Sequence, residues 1–404
     1  MAVAYPAVPT LHPVDGVRIG VASAGIKKPG RRDLTLFELA EGTQCAAVFT
    51  RNAFCAAPVV LAKASLERTS PRWLLINTGN ANAGTGDAGL SDAIRCCEAA
   101  AAVCGGESQQ VLPFSTGVIG EPLPVERLLA ALPAVVADLR EDGWADAAEA
   151  IMTTDTVAKA ESCQLVIEGQ TVTLTGIAKG SGMIRPDMGT MLAYVATDAG
   201  LDAGLLEGVL RRAVDSSFNR ITVDGDTSTN DACVLMATGR SGVQLQADSE
   251  GLACFTQALD ELMQRLAQRI VRDGEGATKF IAIEVAQGRD VAECAQVAYT
   301  IAHSPLVKTA LFASDPNWGR ILAAVGRAGV QALDLRAVTI HLDEVCIVRD
   351  GGRATSYTEE QGQQVMAQEE ITIRVALGRG EASTTVWTCD FSYDYVKINA
   401  EYRT

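Results

Sequence analysis

Apolar residues recur at three- and four-residue spacing over 91–103, 124–139, 205–217, 252–271 and 290–312, a period that predicts five helices. Short runs of alternating or continuous apolar residues, bounded by turn formers, predict strands at 45–50, 73–77, 164–167, 171–174, 191–197, 280–286 and 337–342. Several strands are followed by helical patterns, so sheets with helices packed on them are expected. The glycine-rich stretches are short and fall between elements, where glycine adopts backbone conformations that other residues resist. Internal repeats, low-complexity tracts and Pro-rich linkers are absent from the pattern.

A chain of 404 residues exceeds the usual size of one hydrophobic core, so two domains or two halves are expected. Hydrophobic residues make up 48% and charged residues 21%, the balance of a packed globular protein. A formal net charge of -15 argues against a nucleic-acid partner, which needs clustered Lys and Arg to displace counterions, and points to small-molecule substrates. The first thirty residues carry no basic-then-apolar signal, and no uncharged apolar stretch reaches about 18 residues. A cytoplasmic location without membrane association is therefore expected.

Eleven cysteines, none spaced as CxxC, read as reduced thiols, the adjacent Cys96 and Cys97 included. The three histidines, His12, His303 and His341, stand far apart in the sequence, so neither a zinc site nor a His-based triad is expected. Asp224-Gly225-Asp226-Thr227-Ser228-Thr229-Asn230-Asp231 is rich in oxygen ligands. Its glycine is second rather than sixth and the closing Glu is missing, so it reads as a hydrogen-bonded turn near an active site, with no metal. Asn317-Trp318-Gly319-Arg320 reads as an interface or a buried hydrogen-bonding cluster.

The chemistry concentrates where a glycine-punctuated loop from Lys179 to Gly189 runs directly into an apolar strand beginning at Thr190. A hydroxyl is a weak nucleophile at neutral pH. If the Gly189–Thr190 bond is cut by attack of the Thr190 hydroxyl on the preceding carbonyl, hydrolysis frees an α-amine on the same residue. Such an amine has an ordinary pKa of about 7.7–8.0 and can take the hydroxyl proton, so no histidine is required. A glycine before the cut allows the strained backbone that the attack requires. The segment by itself reads more readily as a threonine opening a buried strand after a turn. Thr116 and Gly117, in the turn-like Ser115-Thr116-Gly117-Val118, offer a hydroxyl and backbone N–H groups of the kind that stabilise an oxyanion, or form an ordinary turn. Lys179 suits a cation for a substrate carboxylate or a solvated loop lysine. Glu275, between Gly274 and Gly276, suits a substrate amine or a capping role.

Gly84-Thr85-Gly86-Asp87-Ala88-Gly89 fits a dinucleotide fingerprint after the strand at 73–77. Six residues of Asn-rich loop separate that strand from the first glycine where the fingerprint demands a tight turn, so no cofactor is expected.

Ala178-Lys179-Gly180-Ser181-Gly182-Met183 followed by Pro186-Asp187-Met188-Gly189-Thr190-Met191-Leu192 resembles the processing site of the bifunctional ornithine acetyltransferase and glutamate N-acetyltransferase family. The likeness runs along nearly the whole chain. It includes Asp33-Leu34-Thr35-Leu36, Ala47-Val48-Phe49-Thr50-Arg51-Asn52, Asn77-Thr78-Gly79-Asn80-Ala81-Asn82-Ala83, Ser115-Thr116-Gly117-Val118-Ile119-Gly120 and Met152-Thr153-Thr154-Asp155-Thr156. After the junction come Ser217-Phe218-Asn219-Arg220, the run from Asp224 to Asp231, Asp273-Gly274-Glu275-Gly276, Asp315-Pro316-Asn317-Trp318, and the segment from Asp394 to Thr404. Two departures stand out: Gly189 where the family usually has Ala, and Gly84 where Cys is common. The first bears on how fast the precursor cuts itself.

The resemblance implies an α/β layered sandwich, with sheets packed face to face and helices outside, that cuts itself into an α chain of 1–189 and a β chain of 190–404. It implies Thr190 as nucleophile, Thr116 and Gly117 as the oxyanion hole, and Thr153, Lys179, Thr190, Glu275, Asn399 and Thr404 as substrate contacts. The activity implied is acetyl transfer from N-acetyl-L-ornithine to L-glutamate by an acetyl-enzyme, with acetyl-CoA use open, no cofactor or metal, and an α2β2 assembly. A self-processing aminopeptidase of similar architecture, which passes the acyl group to water, and a binding module that never cuts are the competing readings.

Overall fold

The computed structural model describes residues 2–185 and 191–401. It divides into two compact units, the larger formed by Ala7–Asn219 and Asp226–Ile270, the smaller by Met1–Pro6, Arg220–Gly225 and Val271–Thr404.

The larger unit holds β1 (Val17–Ala22), β2 (Leu34–Leu39), β3 (Gln44–Phe49), α1 (Ala57–Leu66), β4 (Trp73–Asn80), α2 (Gly86–Cys104), β5 (Val111–Val118), α3 (Val125–Ala137) and α4 (Trp144–Ala150). They are followed by β6 (Lys159–Ile167), β7 (Gln170–Lys179), β8 (Leu192–Thr197), α5 (Ala203–Ser216), β9 (Ala232–Ala237) and α6 (Glu250–Arg272). The strands form a four-stranded sheet in the order β1-β2-β4-β5 and a five-stranded sheet in the order β3-β9-β8-β7-β6. Every residue of β8 and β9 is buried, as their unbroken apolar runs require of a parallel pair covered on both faces.

The two sheets face one another across a shared core. Phe37 of β2 and Phe114 of β5 meet Tyr194 of β8 at ring-centroid distances of 5.4 and 5.3 Å, and Trp144 stands edge-on to Phe37 at 5.7 Å. Such aromatic pairs add to the burial that drives the sheets together. The outer face of the four-stranded sheet, with Leu34, Leu36 and Leu75, is covered by Cys97 and Ala100 of α2 and by Leu128 and Leu132 of α3. On the five-stranded sheet Gly176 lets α6 approach closely, since a Cβ there would lie 3.2 Å from Leu262 and Leu266. The unit is thus the layered sandwich expected, helix, sheet, sheet, helix.

The smaller unit carries β10 (Phe280–Gly288), α7 (Val291–Ala302), α8 (Pro305–Phe312), α9 (Trp318–Gly326), β11 (Thr339–Leu342), β12 (Val345–Arg349), β13 (Gly352–Arg353), α10 (Glu359–Met366), β14 (Glu370–Ala376), β15 (Ala382–Cys389) and α11 (Tyr393–Ala400). Its sheet runs β13-β12-β11-β14-β10-β15 and packs Ile281, Ile283 and Ile373 against Val297 and Ile301 of α7.

One helix expected over 290–312 is two. Pro305 has no N–H to donate and disfavours a helical Ser304, so α7 stops at Ala302 and Ser304 caps α8, its Oγ accepting from Val307 N at 3.4 Å. The strands expected at 164–167 and 171–174 are the inner ends of a longer hairpin, β6 with β7, turned at Glu168 and Gly169 with φ of +52° and +77°. The Asn317 cluster is local: the Asn317 side chain caps α9 by accepting from Arg320 N at 3.3 Å, while the Arg320 guanidinium donates to Leu306 O at 2.7 Å. Among the described residues no helix is long and apolar enough to cross a membrane.

Candidate active site

In the larger unit β4 and β5 run parallel, and the ladder slips by one residue at Gly79 and Asn80. The slip is held by side chains. Ser115 Oγ donates to Asn77 Oδ1 at 2.6 Å, and Asn77 Nδ2 donates to Asn80 O at 2.9 Å. Asn230 Nδ2 reaches across to Ala81 O at 2.6 Å and Ser115 O at 3.0 Å, so the part of the 224–231 run in this unit is the hydrogen-bonded turn expected. Gly117 has φ of +136°, and a Cβ there would stand 2.2 Å from the Gly79 carbonyl carbon. Glycine is therefore obligatory at this position.

Thr116, just before it, is buried, and its Oγ1 accepts from Lys179 Nζ at 3.3 Å. Lys179 is the last residue of β7 and pairs across the sheet with Leu192, the first residue of β8. The expected junction therefore separates two neighbouring strands of one sheet. A lysine that donates to Oγ1 leaves the Thr116 O–H to point elsewhere.

The loop that carries Thr153 is pinned to the end of β7 by Asp155. Oδ1 of Asp155 accepts from Lys159 Nζ at 2.6 Å and from Gly180 N at 2.7 Å, while Oδ2 accepts from Thr153 N at 2.8 Å. Thr154 and Ser181 share a 2.7 Å hydroxyl contact beside it. Burial pushes the Asp155 carboxyl up, but the charges of Lys159 and Lys179 outweigh it and hold the group well below the usual carboxylate range. Thr153, Lys179, Thr116 and Gly117 thus share the larger unit, the first two tied through residues 153–181 and the last three through the Lys179–Thr116 contact.

Glu275 and Asn399 belong to the smaller unit, where they meet: Asn399 Nδ2 donates to Glu275 Oε2 at 2.8 Å. Gly276, with φ of +69°, permits this, because a Cβ there would lie 2.4 Å from Tyr395 N of α11. Ser392 ties the same turn down by donating to Gly276 O at 2.6 Å. Gly189, Thr190 and Thr404 lie outside the described residues.

Four polar residues of the site escape sequence reading: Asp155, Lys159, Asn77 and Asn230. Each stands in or beside a motif quoted above, but Asn77 and Asn230 find partners distant in sequence, and Asp155 and Lys159 pair four residues apart where the chain is not helical. The glycines of the 84–89 run have a local use. Gly89 packs so closely that a Cβ would lie 1.9 Å from Thr85 Oγ1, and Asn82 Nδ2 donates to Gly89 O at 2.8 Å, closing the start of α2 with its own side chains.

Residues 18–404 match the family model described as the ArgJ family. The chain is 57% identical over 406 residues, covering 100% of both chains, to the arginine biosynthesis bifunctional protein ArgJ of Pseudomonas syringae pv. tomato. It is 60% identical over 395 residues, 98% of this chain and 97% of the other, to the protein of the same name from Methylococcus capsulatus. Among solved structures it is similar to the arginine biosynthesis bifunctional protein argJ of Bacillus halodurans, with 40% identity and a TM-score of 0.48 over 50% of this chain and 95% of that one. With a family match over nearly its whole length and relatives of this identity along all of it, the chain belongs to the ArgJ family.

Proposed function

We propose that this protein is a self-cleaving acetyltransferase of arginine biosynthesis that moves the acetyl group of N-acetyl-L-ornithine to L-glutamate. The observation that carries the reading is the buried contact of 3.3 Å between Lys179 and Thr116 beside the constrained Gly117, at the sheet position where β7 ends and β8 begins. The name shared by its relatives, arginine biosynthesis bifunctional protein, supports the same assignment.

In this reading the precursor cuts itself between Gly189 and Thr190 into chains of 1–189 and 190–404, which stay together because strands of both share the five-stranded sheet. The freed α-amine takes the proton of the Thr190 hydroxyl as its oxygen attacks the acetyl carbonyl carbon. The oxyanion is met by the Thr116 hydroxyl and the Gly117 N–H, and Lys179 sets the direction of the hydroxyl. The tetrahedral adduct collapses as the ornithine amine leaves with the proton, so the acetyl group rests on Thr190 Oγ. Glutamate then attacks through its amine and the same steps run in reverse. Thr153, Glu275, Asn399 and Thr404 contact the substrate. No cofactor or metal takes part, acetyl-CoA serves as a second acetyl donor, and the assembly is an α2β2 heterotetramer in the cytoplasm.

Purified protein should give two bands on a denaturing gel, the second beginning with Thr190, and Thr190→Ala should leave only the precursor. Acetylornithine and glutamate together should yield acetylglutamate with parallel-line initial rates. Acetate without acetylglutamate would establish the aminopeptidase-like reaction with water, and a single uncut band the binding module.

A further inference from the structure

The strap that joins β1 to β2 has no task in that mechanism, yet it is the place where this acidic chain gathers positive charge. Lys27, Lys28, Arg31 and Arg32 fall within six residues that hold no acid, in a chain of formal net charge -15. Arg32 is neutralised by Asp146 and Glu149, at 2.6 Å each. Arg31, and Arg127 in the first turn of α3, each give a guanidinium N–H to a backbone carbonyl instead, of Met152 and of Gly25, the second at 2.8 Å. A carbonyl satisfies the donor and leaves the charge in place. Lys28 is exposed and has no partner among the described residues. Like charges kept on one strap without a counter-charge repel one another, so the grouping calls for an anion brought by a ligand.

The strap is pinned, and it lies against the candidate site within the larger unit. Asp33 is buried at its root, and its two carboxylate oxygens accept from Ala24 N and Ile26 N at 2.6 Å each. Ser23 Oγ donates to Arg31 O at 2.6 Å across the neck, and Thr78 N of β4 donates to Asp33 O at 2.9 Å. A Cβ at Gly79 would lie 3.0 Å from Lys27 Cβ, and Gly79 is the residue on which Gly117 packs. On its other side the strap reaches, through Arg31, the carbonyl of Met152 next to Thr153. Its cations therefore border both Gly117 and the loop of Thr153.

We propose that Lys28, Arg31 and Arg127 hold the phosphates of acetyl-CoA, and so form the docking site for the nucleotide end of this donor. The proposal rests on the reading of acetyl-CoA as a second acetyl donor at this site. A carboxylate of acetylornithine or glutamate presents a single charge and is met by a single cation. The nucleotide end of CoA presents a diphosphate and a separate phosphate, whose oxygens are spread widely enough to need several cations. An ammonium takes such an oxygen as a point charge, and a guanidinium takes two at once through parallel N–H groups. Exposure suits the same ligand. The phosphates stay at the wet rim, where the strap stands, while the flexible arm of the carrier brings the acetyl thioester inward past Gly79 to the oxyanion donors.

Titration calorimetry with CoA reads the site without turnover and without any variant. Wild-type protein should bind CoA, should bind it several-fold more weakly when salt rises from about 0.05 to 0.5 M, and should ignore pantetheine, which has the thiol arm and no phosphate. Lys28→Gln and Arg127→Gln should each raise Kd for CoA and KM for acetyl-CoA by roughly tenfold, the worth of one hydrogen bond to a charged group. KM for acetylornithine should move less than about twofold, and Lys28→Arg, which keeps the charge, should bind CoA like the wild type. Equal rises in KM for the two donors would overturn the proposal, because they make the strap a support for the whole site. So would an unchanged Kd for CoA in both Gln variants, or a wild type that transfers acetyl from acetylornithine and binds CoA no better than pantetheine. A wild type that binds CoA through the strap but makes no acetylglutamate from either donor would instead defeat the underlying reading.

Discussion

Asp155 and Lys159 form an ion pair of 2.6 Å in which neither side chain is accessible to solvent. Removing two charges from water costs more than such a pair commonly returns, so its value lies in position rather than in stability gained. Asp155 supplies that position by also accepting from Gly180 N and Thr153 N, which sets the loop of Thr153 against the strand end that bears Lys179.

Replacing Asp155 with Asn leaves the Lys159 ammonium buried without its counter-charge. The expected loss is about 3–5 kcal/mol, the range seen when one partner of a buried pair is removed. Urea unfolding should show a lower midpoint with an unchanged slope. A loss below about 1 kcal/mol would mean that water reaches Lys159 in solution.

The same carboxyl sets a pH dependence of known sign. Burial raises its pKa, Lys159 and Lys179 lower it further than burial raises it, and the folded value falls below the unfolded value of 3.8. The stability this adds is fully present above the unfolded value and drains away as pH falls toward the folded one. The gap in melting temperature between wild type and Asp155→Asn should be constant from about pH 5 to 7 and shrink below about pH 4. A gap that widens in acid would reverse the assignment.

Gly117→Ala should cost about 2–4 kcal/mol, combining the strain of a positive φ with overlap against backbone. Its Cβ would lie 2.2 Å from Gly79 at φ +136°, whereas Gly105, at φ +80°, faces nothing within 4 Å. Gly105→Ala is therefore the control and should cost about 1 kcal/mol from the conformation alone. Equal losses in the two variants would remove the close approach from the account.

Part of the larger unit was legible because its inner strands are continuous apolar runs, as in β8, although the equally buried β9 was not singled out. The first half of β6 was not. It contains Lys159 and Glu161, which read as loop residues until their buried partners are known, and Glu161 finds Arg269 at 2.5 Å from 108 residues away. β5 was hidden by Pro113, a residue that argues against a central strand but is tolerated here because β5 is the edge of its sheet. At the site, Lys179 and Thr116 were legible singly while their contact was not, since 63 residues separate them and only the stacking of two sheets brings them together.

In the smaller unit, Asn399→Ala should raise KM about tenfold while kcat changes little. The Asn399 amide holds Glu275 Oε2 at 2.8 Å, and a hydrogen bond to a charged group is worth about 1.5 kcal/mol, or roughly a factor of ten in binding. Steady-state kinetics with glutamate varied will measure it. A fall in kcat with KM unchanged would place Asn399 with the reacting atoms instead.

Lys179 has two possible tasks, and a double-mutant cycle separates them. If it acts through Thr116, whose Oγ1 accepts from its ammonium at 3.3 Å, then Lys179→Met and Thr116→Val remove parts of one device. Each should lower kcat by about 10²–10³, the usual cost of an oxyanion donor, and the double variant should be scarcely worse than either alone. If Lys179 instead holds a substrate carboxylate, its loss should appear chiefly in KM, and the two effects should multiply. The buried setting of both side chains favours the first outcome, because a lysine already donating to a buried hydroxyl must break that bond to reach a carboxylate. Multiplying losses would return Lys179 to the substrate and leave the Thr116 hydroxyl to be oriented by the oxyanion itself.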